Sequence, residues 1–183
     1  MSGPRAGSEE GRDLGALGGD GIRVGLGYYV HRLEVGRKLW LGGVELPQID
    51  GEKGLEGHSD ADVLLHAICD ALLGAAALGD IGRLYPPDDP AYKDIASIEL
   101  VRDVLGRLHG AGFVVKNVDA TLVAEAPKIA PHVEKMREKV AEALQIHTGA
   151  VSIKATTCEG LGWIGAGGGM AALAVAALAK RPG

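Results

Sequence analysis

Between Ser59 and Leu78 the apolar positions follow a helical period, which predicts the most hydrophobic helix of the chain. Ser59 is its candidate cap, and Asp62 stands three residues later as the carboxylate of a capping box. Gly74 and the alanines after it predict a place where another backbone comes close. Two more amphipathic helices are expected, at Ala96–Ala111 before Gly112 and at Ala130–Leu144. Strands are expected at Ile22–Gly25, at Lys38–Leu46 with a break at Gly42-Gly43, at Phe113–Ala124 and at Val151–Thr156. YPPDDPAY, from Tyr85 to Tyr92, carries three prolines and reads as a loop. Met170–Lys180 is ambiguous, since its alanines favour a helix by propensity. Strands and helices mixed in this way suit an α/β (α+β) sandwich, a mixed sheet with helices packed on one face.

Composition narrows the function classes. The 183 residues are enough for one domain with a substantial core, and with only 4% aromatics that core is built from Val, Leu, Ile and Ala. Nineteen basic against 24 acidic residues give a charge of −5, which argues against nucleic acid and anionic membranes as partners. A phosphorylated substrate then calls for divalent cations. No apolar run reaches membrane-span length and no secretory signal opens the sequence, so a cytoplasmic protein is expected. Cys69 and Cys158 are isolated and form no disulfide framework. Residues 1–21, rich in Gly, Ser and charge, read as a disordered extension or a vector-derived remnant, and 22–183 as the folded domain.

Candidate chemistry collects at four places. Asp62, His66 and Asp70 are spaced four apart and share one helix stripe, so His66 is a candidate metal ligand with two carboxylates to orient it. An amphipathic helix whose wet edge holds a histidine is the alternative. His31 ends GLGYYVH at a strand-to-loop junction, with Tyr29 two residues before it and pointing the same way. His58-Ser59 opens a helix, where free N–H groups attract phosphate. In KATTCE, Thr156 and Thr157 can donate to phosphate and Glu159 is a hard oxygen ligand for Mg²⁺. Gly160-Leu161-Gly162-Trp163-Ile164-Gly165 spells a dinucleotide fingerprint, but too little chain follows for the rest of that unit.

HSDADVLLHAICDALLGAAALGDIG, together with RVGLGYYVHRL, LGGVELP, NVDATLVAEAPKIAPH and SIKATTCEGLGW, resembles the 2-C-methyl-D-erythritol 2,4-cyclodiphosphate synthase family over about Ile22–Lys180. The resemblance implies a homotrimer with active sites between subunits, and a closing strand at Met170–Lys180. It implies metal-dependent cyclisation of 4-diphosphocytidyl-2-C-methyl-D-erythritol 2-phosphate with release of CMP. Zn²⁺ or another divalent transition metal is expected at His31, His66 and the Tyr29 position, with Mg²⁺ or Mn²⁺ held with substrate by Glu159. His58 and Thr157 are implied as catalytic. Substrate-binding positions are His31, His58, Ser59, Asp80, Gly82, Asp89, Ala124, Pro127, Lys128, Thr156, Thr157, Glu159 and Trp163. The resemblance also implies a cytosine pocket at Ala124–Ala130, ribose contacts at Asp80 and Gly82, and a place near the trimer axis for Trp163.

The chain departs from the family pattern at several positions. Tyr29 replaces a metal-binding aspartate, Pro87 an aspartate of the loop, Cys158 a threonine, and Ala166 and Gly168 an arginine and a glutamate near the axis. Tyr29 is either a phenolate ligand or a packing residue. Two alternatives therefore stand beside the active enzyme: a trimer that keeps the fold with impaired catalysis, and a module that binds only cytidine.

Overall fold

The computed structural model describes residues 21–49, 52–86, 89, 92 and 94–181. The strands are β1 (Arg23–Val35), β2 (Leu39–Leu41), β3 (Val44–Leu46), β4 (Lys53–Leu55), β5 (Phe113–Val123), β6 (Val151–Thr156) and β7 (Gly169–Lys180). The α-helices are α1 (Val63–Ala76), α2 (Ile81–Leu84), α3 (Ser97–Gly110), α4 (Val133–Leu144) and α5 (Gly162–Gly165). Of the expected extension 1–21, all but Gly21 lies outside the described residues, as does Pro87. No helix among the described residues is long and apolar enough to cross a membrane.

Five strands form a mixed sheet in the order β4-β1-β7-β5-β6, and β2 with β3 makes a separate hairpin through Gly42-Gly43. Only β5 and β6 are parallel, joined across α4, whereas the other neighbours in the sheet run antiparallel. β7 lies between β1 and β5. Its alanines would favour a helix in isolation, but pairing on both edges decides for a strand. Ala172, Ala174, Ala176 and Leu178 are buried, while Leu173 and Val175 alternate with them on the open side.

β1 is far longer than the expected Ile22–Gly25. The residues it turns toward α1 are Gly25, Gly27, Tyr29 and His31, so the apolar alternation that marks a strand lies on its exposed face, at Val24, Leu26, Tyr28 and Val30. The two glycines are a packing requirement. A Cβ on Gly25 would sit 2.1 Å from the carbonyl oxygen of Ala71, and one on Gly27 1.9 Å from that of Ala67. The close approach expected at Gly74 and the alanines after it is found at Ala75, and it continues N-terminally to Ala71 and Ala67, where the strand glycines meet the alanine ridge of α1. Gly74 itself is exposed and has nothing within 4 Å of an added Cβ.

The helix α1 starts later than expected. Asp62, and not Ser59, is its N-cap, accepting from the backbone N–H of Leu65 at 3.1 Å. Its other carboxylate oxygen accepts from Gly43 N at 2.8 Å, which ties the β2–β3 turn to the helix start. From there α1 is buried except at Asp70 and Gly74, packed against β1 and β7 on one side and α3 on the other.

Candidate active site

Strand alternation brings Tyr29 and His31 to the α1 side of β1, where they meet His66 one turn into the helix. The three rings form a triangle: Tyr29–His31 centroids are 5.2 Å apart, Tyr29–His66 4.8 Å and His31–His66 5.1 Å. His31 Nε2 lies 3.0 Å from His66 Nδ1. These rings, with His58, Ser59, Gly82, Tyr85 and Tyr92, line a cleft of about 270 Å³.

Burial, with His31 nearby as the smaller cause, pushes the His66 imidazole down to about pKa 3. Burial also lowers His31, against a hydrogen bond to the Glu56 backbone that favours its protonated form. Both rings are therefore neutral near physiological pH, the state in which imidazole binds metal. Burial raises the Tyr29 phenol above its usual value, and the charges of Asp70 and Asp80 raise it further. The phenol is thus held protonated.

The expected carboxylate partners of His66 are elsewhere. Asp62 caps α1 and holds Gly43, and Asp70 accepts from Ile81 N at 2.9 Å, which fixes the start of α2. The ring instead meets hydroxyls: His66 Nε2 is 2.9 Å from Ser97 Oγ and 3.3 Å from Ser59 Oγ. Ser97, fully buried at the start of α3, reaches Asp60 through both its hydroxyl and its backbone N–H. Ser97 and Asp60 escaped the sequence reading because Ser97 lies 31 residues from His66. Only the adjacency of Asp60 to Ser59 offered a hint. Arg37 escaped as well; it donates to the carbonyls of Leu55, Gly57 and Ser59 and so braces the loop that carries His58.

Two converging nitrogens meet one requirement of a metal site. Bonds of about 2.0–2.1 Å at a tetrahedral angle put two zinc-bound nitrogens ~3.3 Å apart, close to the separation here. His31 Nε2 and His66 Nδ1 therefore suit a divalent transition metal, with the Tyr29 phenol as the neighbouring third group. Among the described residues no cluster of three or more His, Cys, Asp or Glu adds to them.

A second cluster forms where β6 ends. Thr157 Oγ1 donates to Glu159 Oε1 at 2.8 Å and accepts from Glu159 N at 3.2 Å. Cys158 N donates to Glu125 Oε1, and Ala124 N to Thr156 O, so this turn leans on the Ala124–Lys128 segment. That segment contains a cis peptide at Ala126-Pro127. Asp80 caps α2 by accepting from Arg83 N. Asp89 N donates to the carbonyl of Pro86. Trp163 stands apart with Val30, His31, Arg32 and Gly168, and its ring occupies the space a Gly168 side chain would need, 2.6 Å from an added Cβ. The Gly160–Gly165 motif makes a turn into the short α5, with no dinucleotide unit after it.

The two clusters lie at one end of the sheet but not side by side. Val30 pairs with Ala171, Ala171 with Val123, and Val123 with Thr156, all in one row. Three strand spacings of ~4.8 Å put Thr156 roughly 14 Å from Val30. Within one chain, the histidine cleft and the Thr157–Glu159 turn stand apart.

The YgbB family matches residues 22–179. A 2-C-methyl-D-erythritol 2,4-cyclodiphosphate synthase of Syntrophomonas wolfei is 58% identical over 154 residues, 84% of this chain and 96% of that one. The bifunctional IspDF of Campylobacter jejuni superposes with a TM-score of 0.82 at 39% identity, covering 87% of this chain and 42% of its own. IspF of Plasmodium falciparum, solved as a CDP complex, superposes at 0.76 with 29% identity over 90% of this chain and 99% of its own. By sequence and by fold, the chain belongs to the YgbB family of 2-C-methyl-D-erythritol 2,4-cyclodiphosphate synthases.

Proposed function

We propose that this protein cyclises 4-diphosphocytidyl-2-C-methyl-D-erythritol 2-phosphate in the cytoplasm, as a homotrimer. The observation that carries the reading is the pair of separate clusters at one end of the sheet, in a chain 58% identical to a synthase of that reaction. An oxygen of the 2-phosphate attacks the β-phosphorus, the bond from that phosphorus to the CMP oxygen breaks, and CMP leaves. Nucleophile and electrophile are both anionic, so alignment and charge neutralisation carry the catalysis. A transition metal held by His31 and His66, and a Mg²⁺ or Mn²⁺ held by Glu159, supply positive charge when bound.

The chain's own groups do the positioning. Ser59 is buried and His58 exposed at the cleft, so this pair presents a hydroxyl and an imidazole to phosphate oxygens. Thr157 offers its hydroxyl beside Glu159, and Thr156 precedes it at the strand end. The Ala124–Lys128 turn supplies backbone groups for the cytosine edge, with Pro127 and Lys128 shaping it. Gly82 leaves the cleft wall open toward a ribose, with Asp80 beside it and Asp89 on the loop beyond.

The trimer reading rests on the open sheet face. Val24, Leu26, Tyr28 and Val30 of β1 and Leu173 and Val175 of β7 are 38–67% exposed and adjacent, with no helix of the described residues over them. A contiguous apolar patch of this kind marks an interface. A neighbouring copy seated there can bring its Thr157–Glu159 turn to this chain's histidine cleft. Purified protein given the substrate and Mg²⁺ should release CMP and cyclodiphosphate in equal amounts, followed by phosphorus NMR. No CMP with both zinc and magnesium present would refute the reading.

One observation favours an impaired enzyme. The protonated Tyr29 phenol, between the fields of Asp70 and Asp80, stands where the family carries a carboxylate ligand.

A further inference from the structure

Ser97 meets the His66 ring at Nε2, the nitrogen that does not face His31, and neither Ser97 nor Asp60 lines the histidine cleft. Ser97 is fully buried. A hydroxyl has one proton to donate and two lone pairs to accept with. The Ser97 hydroxyl donates that proton to Asp60 Oδ1, while Ser97 N donates to Asp60 Oδ2 at 3.0 Å. The proton is therefore committed, and Ser97 Oγ can only accept from the imidazole nitrogen 2.9 Å away.

We infer that Ser97 and Asp60 are positioning residues that lock His66 in its Nε2–H tautomer, so that the bare Nδ1 lone pair faces His31 Nε2 and is ready for a cation.

The reverse tautomer is disfavoured by the same geometry. With the proton on Nδ1 the ring could donate to His31 Nε2 at 3.0 Å, but its Nε2 lone pair would then face a Ser97 lone pair across 2.9 Å, against a Ser97 proton already held by a carboxylate. The only donor to Nε2 would be Ser59 Oγ, farther off at 3.3 Å. In the favoured state Ser97 donates to Asp60 and accepts from His66, so both bonds are made without conflict. Asp60 is itself held by the backbone N–H of Asp62 at 3.3 Å, so the chain of donors is anchored at the start of α1. A carboxylate thus reaches a ligating imidazole through a hydroxyl, where a direct carboxylate–imidazole bond is the commoner device. The tautomer part of the inference stands without any metal, and its affinity part rests on the metal reading above.

The test is made on full-length, ¹⁵N-labelled protein stripped with chelator, near neutral pH. Long-range proton–nitrogen correlation spectra identify which ring nitrogen of His66 carries hydrogen. The unmodified protein should show Nε2–H with a bare Nδ1. In Asp60→Asn the amide oxygen keeps the Ser97 backbone bond and the NH₂ group donates to Ser97 Oγ. The opposite amide orientation would set two donors against each other across 3.0 Å. The Ser97 proton is then freed toward Nε2, so an Nδ1–H signal should appear. Ser97→Ala should give a mixture of tautomers, and Ser97→Thr should restore the unmodified pattern. Zinc affinity, measured by competition with a chromophoric chelator, should fall about tenfold in Asp60→Asn and Ser97→Ala and recover in Ser97→Thr, the scale on which such outer partners act.

Nδ1–H in the unmodified protein overturns the inference, and so does an unaltered Nε2–H pattern in Asp60→Asn. If the tautomer responds as described but no variant binds zinc, the positioning role stands and the metal reading falls.

Discussion

Tyr29 concentrates the question of activity in one side chain. Replacing it with aspartate puts a full negative charge beside two neutral imidazoles, in place of a phenol that must first lose a proton. Tyr29→Asp should raise zinc affinity by about tenfold or more and increase CMP release with it. Metal analysis and turnover on matched preparations check this; one tightly bound zinc per subunit in the unmodified protein, with neither quantity changed in Tyr29→Asp, would make Tyr29 a competent ligand or put the metal elsewhere. A second effect at this scale is the pH dependence of the metal-free protein. Burial pushes the Asp62 carboxyl up to about pKa 6, so the folded state binds its proton more tightly than the unfolded chain. Its contribution makes stability rise as pH falls through that range. His66 runs the other way: its folded value of about 3 lies below the unfolded one, so stability drops as pH falls below ~6.5. The two slopes oppose between about pH 4 and 6. Asp62→Asn removes one of them, and stability should then fall by about 1.4 kcal/mol per pH unit on acidification across that window. Denaturant melts of both proteins at several pH values measure it; parallel curves would contradict the opposition.

At the scale of elements, the contact between β1 and α1 decides where the site stands. Backbone meets backbone at Gly25 and Gly27, and this draws the strand close enough for His31 to reach His66 at 3.0 Å. Gly27→Ala would drive its Cβ against the Ala67 carbonyl, a collision with main chain that no rotamer relieves. It should cost about 3 kcal/mol, the upper end for overpacking. Gly74→Ala, in the same helix but with open space around it, should instead gain up to about 1 kcal/mol from helix propensity. Thermal melts of the two variants should move in opposite directions.

For the whole molecule, the open sheet face and the separated clusters make one prediction. Leu26→Lys places a charge in the middle of the exposed β1 strip, facing Val175 of β7 in register. It should leave the fold intact, since Leu26 is 67% exposed, while the proposed trimer should give way to monomers and the proposed CMP release fall about tenfold or more. Light scattering and circular dichroism read mass and fold together. A monomer that keeps full activity would show that one chain holds a complete site.

The apolar period of the sequence was enough to place α1, α3 and α4 and strands β5 and β6, because each carries its own alternation against the core. Motif order was enough to name the family, and it nominated His31, His58, Ser59, His66, Thr157 and Glu159 as candidates. Other features depended on partners distant in the chain. β1 hides its strand character because its inner face is glycine, tyrosine and histidine, and only the nearby α1 backbone explains those glycines. β7 is ambiguous by propensity alone; the family resemblance makes it a strand, and pairing on both edges supplies the physical reason. Asp62 and Asp70 looked like partners of His66 by spacing, yet Gly43 and Ile81 take their oxygens and leave the imidazole to Ser97, 31 residues away. Local periodicity is written in neighbouring residues, whereas hydrogen-bond partners and close backbone contacts are settled only when the folded chain brings distant segments within 3 Å.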